Sequence, residues 1–153
     1  MNKTLACDPG ASGGFAWPGD CRAMPATEGD VVDFLRSMRF DGFDRLVIED
    51  VGGFCGMGQP GSAMFRFGFG VGIVRGAAMA LGYRVELIKP AKWQKHFSLG
   101  TAKNAGGKAA WKNKLKAEAQ RRFPQLTITL KTSDAVLILD YAQAKMERKN
   151  YDN

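Results

Sequence analysis

Apolar and polar positions change period several times along this chain, and each change marks an element. Lys3–Asp8 is an apolar or β-branched run that ends on an acid, the pattern of a strand entering a turn. The tight turn is residues 10–14, rich in glycine. Residues 15–17 begin the return strand of a hairpin, and residues 21–24 form a third strand after Pro18-Gly19-Asp20. Residues 30–38 carry Val31, Phe34, Leu35 and Met38 at helical spacing, and residues 44–51 read as a second strong strand. Residues 52–61 hold five glycines and a proline, which predicts a mobile loop.

A long helix is predicted over residues 62–81, with Ser62 as its N-cap. It is rich in Phe and Gly (Phe65, Phe67, Gly68, Phe69, Gly70, Gly72, Gly76). Glycine costs helix stability, so a closely approaching backbone is expected to compensate. Arg84–Ile88 is the next strand, and residues 90–97 form a short helix with Pro90 in its first turn. Residues 98–107 are a polar loop. Residues 108–123 form an amphipathic helix with Trp111, Leu115 and Ala119 on one side, stopped by Pro124. Residues 126–130 are strand-like, and residues 133–149 form a final helix. An opening meander followed by β/α alternation predicts an α/β sheet with helices on both faces. No internal repeat and no second domain is visible.

Composition narrows the class. With 153 residues the chain fits one domain, and its 45% hydrophobic and 24% charged content is ordinary for a globular protein. No uninterrupted apolar run reaches bilayer length, and no signal peptide is visible, so a cytoplasmic protein with no membrane partner is expected. Three cysteines (Cys7, Cys21, Cys55) without CxxC spacing, and a single histidine, His96, argue against a zinc cluster. The net charge of +7 is uneven. Residues 1–50 carry nine acids and five bases, whereas residues 84–122 carry eleven Lys and Arg against Glu86 and Glu118. A basic region opposite an acidic one suggests a metal site beside a polyanion track, with a solvated helix face as the alternative.

Three acids then stand out. Asp8 and Glu49 end apolar, strand-like runs, and Asp134 opens an apolar, helix-like run. Each has a bland alternative: a solvated hairpin turn for Asp8, an edge-strand position for Glu49, and helix capping for Asp134. Buried carboxylates are costly unless paired or bound to a cation. Three that converge would make a hard-oxygen site for Mg²⁺ or Mn²⁺, and on a basic chain its natural substrate is a phosphodiester.

These stretches carry a resemblance. Leu5-Ala6-Cys7-Asp8-Pro9-Gly10-Ala11-Ser12-Gly13-Gly14, Val47 to Val51, Gly58 to Gly68, Val85 to Trp93 and Ser133-Asp134-Ala135-Val136-Leu137-Ile138-Leu139 resemble RuvC-type Holliday junction resolvases; Ser62-Ala63-Met64-Phe65-Arg66-Phe67-Gly68 and Pro90-Ala91-Lys92-Trp93 within them resemble most of all the bacteriophage RuvC-like subgroup. The resemblance implies a ribonuclease-H-like α/β fold, a mixed five-stranded sheet flanked by helices, forming one nuclease domain over residues 1–153. It implies an endodeoxyribonuclease that nicks branched DNA in pairs and leaves 5′-phosphate and 3′-hydroxyl ends. Asp8, Glu49 and Asp134 match the metal-binding acids, expected to hold two ions about 4 Å apart.

One departure matters. The family's fourth ligand, one helical turn before the last acid, is here Lys131. Asp140 lies on another helix face and is no substitute. Either the alignment slips, or Lys131 touches the scissile phosphate as part of the catalytic set, or cleavage is weak. The last leaves a junction-binding protein with little or no cleavage as the alternative function.

The resemblance also implies a homodimer through the helix bearing Gly68, Gly72 and Gly76, with close packing on the chain's own sheet as the alternative. Phe65 and Phe67, with Arg66, are candidates to stack on junction bases. Lys89, Lys92, Lys103, Lys108 and Lys112 lead the expected phosphate-contacting set. Trp93, Trp111 and His96 are assigned to the core or to structural roles. An actin-like nucleotide hydrolase is disfavoured by chain length. Gly106-Gly107-Lys108 lacks the rest of a P-loop, so no nucleotide cofactor is expected.

Overall fold

A computed structural model describes residues 3–52 and 60–151; residues 53–59 of the predicted mobile loop, Cys55 among them, lie outside these. The strands are β1 (Lys3–Asp8), β2 (Gly14–Trp17), β3 (Asp20–Ala23), β4 (Phe43–Glu49) and β5 (Arg84–Ile88). They form one sheet in the order β3-β2-β1-β4-β5. The meander β1-β2-β3 is antiparallel, while β4 and β5 add to β1 in parallel, so the sheet is mixed.

Strand alternation sorts side chains onto two faces. Leu5, Cys7, Phe15, Leu46 and Ile48 face α1 (Glu28–Phe40) and α2 (Gly61–Ala80). Ala6, Ala16, Val47 and Ile88 face α3 (Pro90–His96), α5 (Lys108–Arg122) and α6 (Ser133–Tyr151). The predicted stripe Val31, Phe34, Leu35 and Met38 is the buried side of α1. Thr27 opens that helix by accepting from the Asp30 amide at 3.1 Å.

Several local expectations are corrected. Residues 126–130 form no strand. Thr129 and Thr132 close a turn there, and Gln120 donates to the Ile128 carbonyl at 3.2 Å, so this backbone finds partners outside the sheet. Ser62 is not the N-cap of α2, which begins at Gly61 after Pro60 with no side-chain cap. Within the predicted polar loop, α4 (Ala102–Ala105) forms one turn capped by Thr101.

For α2, the alternative of close packing on the chain's own sheet is corrected. A Cβ added at Gly68, Gly70, Gly72 or Gly76 would meet nothing within 4 Å, so among the described residues no backbone packs on these glycines. Only Val74 and Ala78 are buried, and Phe65, Phe69 and Met79 are exposed. By length and composition α2 could also cross a membrane, which the reading by uninterrupted runs missed; its apolar stretch is broken by Arg66 and Arg75.

Candidate active site: three carboxylates and a lysine

Asp8 and Glu49 are the last residues of two neighbouring parallel strands. Cys7 pairs with Ile48 across β1 and β4, so the next step of the ladder sets the two acids side by side. Alternation turns both away from Cys7 and Ile48, onto the face where α6 lies. The first turn of α6 brings Asp134 to them. β4 is internal, not an edge, and Asp8 and Asp134 are only 8% and 1% exposed, which removes the solvated-turn and edge-strand readings.

The turn after β1 is built to admit this crowding. A Cβ at Gly13 would overlap the Asp8 carbonyl oxygen and come within 3.0 Å of its carboxyl carbon. Gly10 has φ +105° and lies against the Phe67 ring, where a Cβ would stand 2.8 Å from a ring carbon. Gly13→Ala should therefore displace Asp8 and destabilise the fold by about 1–3 kcal/mol, as overpacking does. Urea unfolding beside the parent checks this, and equal midpoints would contradict it.

The electrostatics follow from burial and like charge. Burial first, then the charges of Asp134 and Glu49, push the Asp8 carboxyl up to about 8, with Lys112 opposing. Glu49 is also raised, mainly by burial, against a hydrogen bond of 2.7 Å donated by the Trp93 indole. Lys112 is the cation in this cluster. Its ammonium pairs with Asp134. Burial works against its charge, but Asp134, Asp8 and Glu49 outweigh that and hold it above the usual lysine range.

The predicted residues divide into three groups. Asp8, Glu49, Asp134 and Lys112 come together, so Lys112 lies among the acids rather than on a surface track. Lys131 does not join them. Its side chain is exposed, it pairs with no acid among the described residues, and its amide donates to Thr129 Oγ1 at 3.3 Å. Lys89 and Lys92 line a cleft of about 310 Å³ between β5 and α6, and Lys103 and Lys108 are exposed on α4 and at the start of α5. Phe67 borders the Gly10 turn. Phe65 is 72% exposed and stacks on Phe69 at 6.1 Å, and Arg66 lines the groove beside them. Trp93 is core, as read, but also bonds Glu49, and Lys112 neutralises Asp134. Both roles depend on contacts between distant segments, and only the presence of the residue types was visible in sequence.

Among the described residues no three His, Cys, Asp or Glu side chains stand poised to hold an ion. The Lys112 ammonium takes up one Asp134 oxygen and the Trp93 indole one Glu49 oxygen. The donor set nevertheless suits a hard divalent cation. It is all carboxylate, and burial, with the charges of Asp134 and Glu49 added, pushes Asp8 up to about 8.

No family model matches the chain, and no curated protein sequence matches it. Solved structures do. The chain overlays Thermus thermophilus RuvC in complex with a Holliday junction substrate with a TM-score of 0.62 at 14% identity, covering 95% of this chain and 96% of that one. A second Thermus thermophilus RuvC structure gives 0.60 at 16% identity over the same shares. At this identity the likeness speaks for architecture, and the chain has the ribonuclease-H-like α/β fold of RuvC, a mixed five-stranded sheet flanked by helices.

Proposed function

We propose that this protein is a metal-dependent, structure-selective endonuclease that resolves Holliday junctions and other branched DNA by paired nicks. The observation that carries the reading is the convergence of Asp8, Glu49 and Asp134 from two parallel strand ends and one helix start. The fold shared with a protein solved on a Holliday junction supports it. In this reading the chain groups with the compact bacteriophage proteins that its 62–68 and 90–93 segments resemble, and acts in the host cytoplasm.

Asp8, Glu49 and Asp134 would hold Mg²⁺ or Mn²⁺, expected as two ions, which when bound supply an activated water and stabilise the leaving 3′ oxygen. The chain's own groups do the rest. Lys112, the one cation paired within the acid cluster among the described residues, is placed to meet a backbone phosphate arriving there. The buried floor of Leu137, Ile138 and Val47 keeps bulk water from the inner side of the carboxylates. Phe67 beside the Gly10 turn and the exposed Phe65–Phe69 stack offer ring faces to unpaired bases at a crossover. The nicked products would carry 5′-phosphate ends.

The exposed glycines of α2, flanked by Phe69 and Met79, are suited to a second copy of the same helix, and a two-fold dimer matches the symmetry of a four-way junction. Lys89, Lys92, Lys103 and Lys108 would grip the arms. Removing two such contacts, in Lys103→Ala with Lys108→Ala, should flatten the slope of log affinity against log salt by about 1.8. Junction titrations at several salt concentrations measure that slope, and an unchanged slope would remove both lysines from the DNA path.

The direct test is cleavage of a labelled four-way junction with Mg²⁺ or Mn²⁺, beside a linear duplex and an EDTA control. Paired nicks near the crossover, absent from both controls, establish the activity. The second reading, a junction binder that does not cut, is favoured by the Lys112–Asp134 ion pair, which sets a fixed cation at one ligand. Tight junction binding with no nicks under either metal would decide for it.

A further inference from the structure

We propose that Trp93 is a positioning residue for the metal centre: its indole N–H holds one oxygen of Glu49, so that Glu49 offers only its other oxygen to the ion. The inference rests on the nuclease reading of the acid cluster and concerns a residue that sequence alone assigns to the core.

The geometry is specific. Glu49 is level with Ile88 in the parallel ladder of β4 and β5. The chain leaves β5 at Ile88 and turns at once into α3, whose first residue is Pro90. This short connection folds α3 back over the end of β4. Trp93 is the one buried residue of that helix and is 0% exposed. Its ring is wedged in the cluster that also holds Val47, Ile88, Trp111 and Ile138, and meets Phe97 edge-on at 6.4 Å between centroids.

An indole has a single polar atom, a donor, and a buried donor without an acceptor is costly. Here the acceptor is Glu49 Oε2, at 2.7 Å. Because close packing on every side fixes the ring, the ring fixes the carboxylate. Oε2 is engaged, and Oε1 remains as the oxygen available to a cation shared with Asp8 and Asp134. A ligand oriented by an outer donor in this way typically loses about 10–100-fold in metal affinity when the donor is removed. The same seven-residue helix carries Lys92, which is exposed.

The test compares Trp93→Phe with Trp111→Phe, which shortens a second buried ring in the same cluster without touching Glu49. Mn²⁺ uptake is read from the electron paramagnetic resonance signal of the free ion, with folding of both variants confirmed by circular dichroism. Trp93→Phe should bind Mn²⁺ about 10–100-fold more weakly than the parent, and Trp111→Phe should match the parent. Equal affinity in the parent and Trp93→Phe overturns the inference while leaving the metal site standing. A parent that takes up no Mn²⁺ overturns the metal reading itself, and the inference with it. If Trp93→Phe does not fold, the indole resonances of the parent decide. Glu49→Gln should move the Trp93 indole proton upfield and leave that of Trp17 in place, and an unmoved Trp93 signal refutes the bond.

Discussion

Asp8→Asn protein will bind a synthetic four-way junction as tightly as the parent and will barely cut it. The substitution keeps the shape of the side chain and removes its charge. Asp8 is buried beside Asp134 and Glu49 at the end of β1, where burial and those charges already favour an uncharged side chain, so the neutral amide is accommodated and the fold survives. The same loss of charge takes an anionic ligand from the cation site. Metal-ion stabilisation of a phosphoryl transition state is worth several kcal/mol. At 1.36 kcal/mol per factor of ten, the cleavage rate should fall on the order of 10³-fold. Single-turnover cleavage at saturating protein measures the loss, and a gel shift on the uncut junction measures binding. Near-parental cutting would mean that the three acids are not the reaction centre. A parent that also cuts nothing would instead favour the binding-only reading.

In EDTA, the parent protein will lose stability as pH rises from about 4 to about 8. The ordinary Asp value is about 3.9, while in the folded chain burial, Asp134 and Glu49 push Asp8 up to about 8. Between the two values the folded state keeps a proton that the unfolded chain has released. The unfolded state then binds fewer protons, so unfolding becomes easier with rising pH, by up to about 1.4 kcal/mol for each unit crossed. Above about 8 both states are ionised and the penalty stops growing. Glu49, raised in the same direction, adds to the fall. Melting temperatures from pH 5 to 8 should therefore drop in EDTA, drop less for Asp8→Asn, and recover when Mg²⁺ is added at the alkaline end. A melting temperature that is flat or rising across this window would show that Asp8 is not held among the other acids.

Much of the architecture can be read along the chain because it is written in short-range periods. The strand Lys3–Asp8 and the buried stripe of α1 follow from spacing that a few residues display, since each segment must hide one face whatever it packs against. The acids were legible for a related reason: a carboxylate that closes an apolar run sits where desolvation is costly, which marks it before any neighbour is known. The segment 126–130 shows the limit. Its composition suits a strand, but pairing requires a free sheet edge in register, and Thr129, Thr132 and Gln120 meet its backbone needs first.

Sequence by itself determined the mixed succession of strands and helices, the three acids and their places at element ends, and the basic stretch that follows them. Tertiary structure decided the rest. Parallel register set Glu49 level with Asp8, α5 carried Lys112 to Asp134, and the turn from β5 into α3 delivered Trp93 to Glu49. It also left the glycine face of α2 without a partner among the described residues. The physical reason is the same in each case. These contacts join segments far apart in sequence, where propensity and periodicity carry no information about which partner arrives, and only the packing of the whole chain selects it.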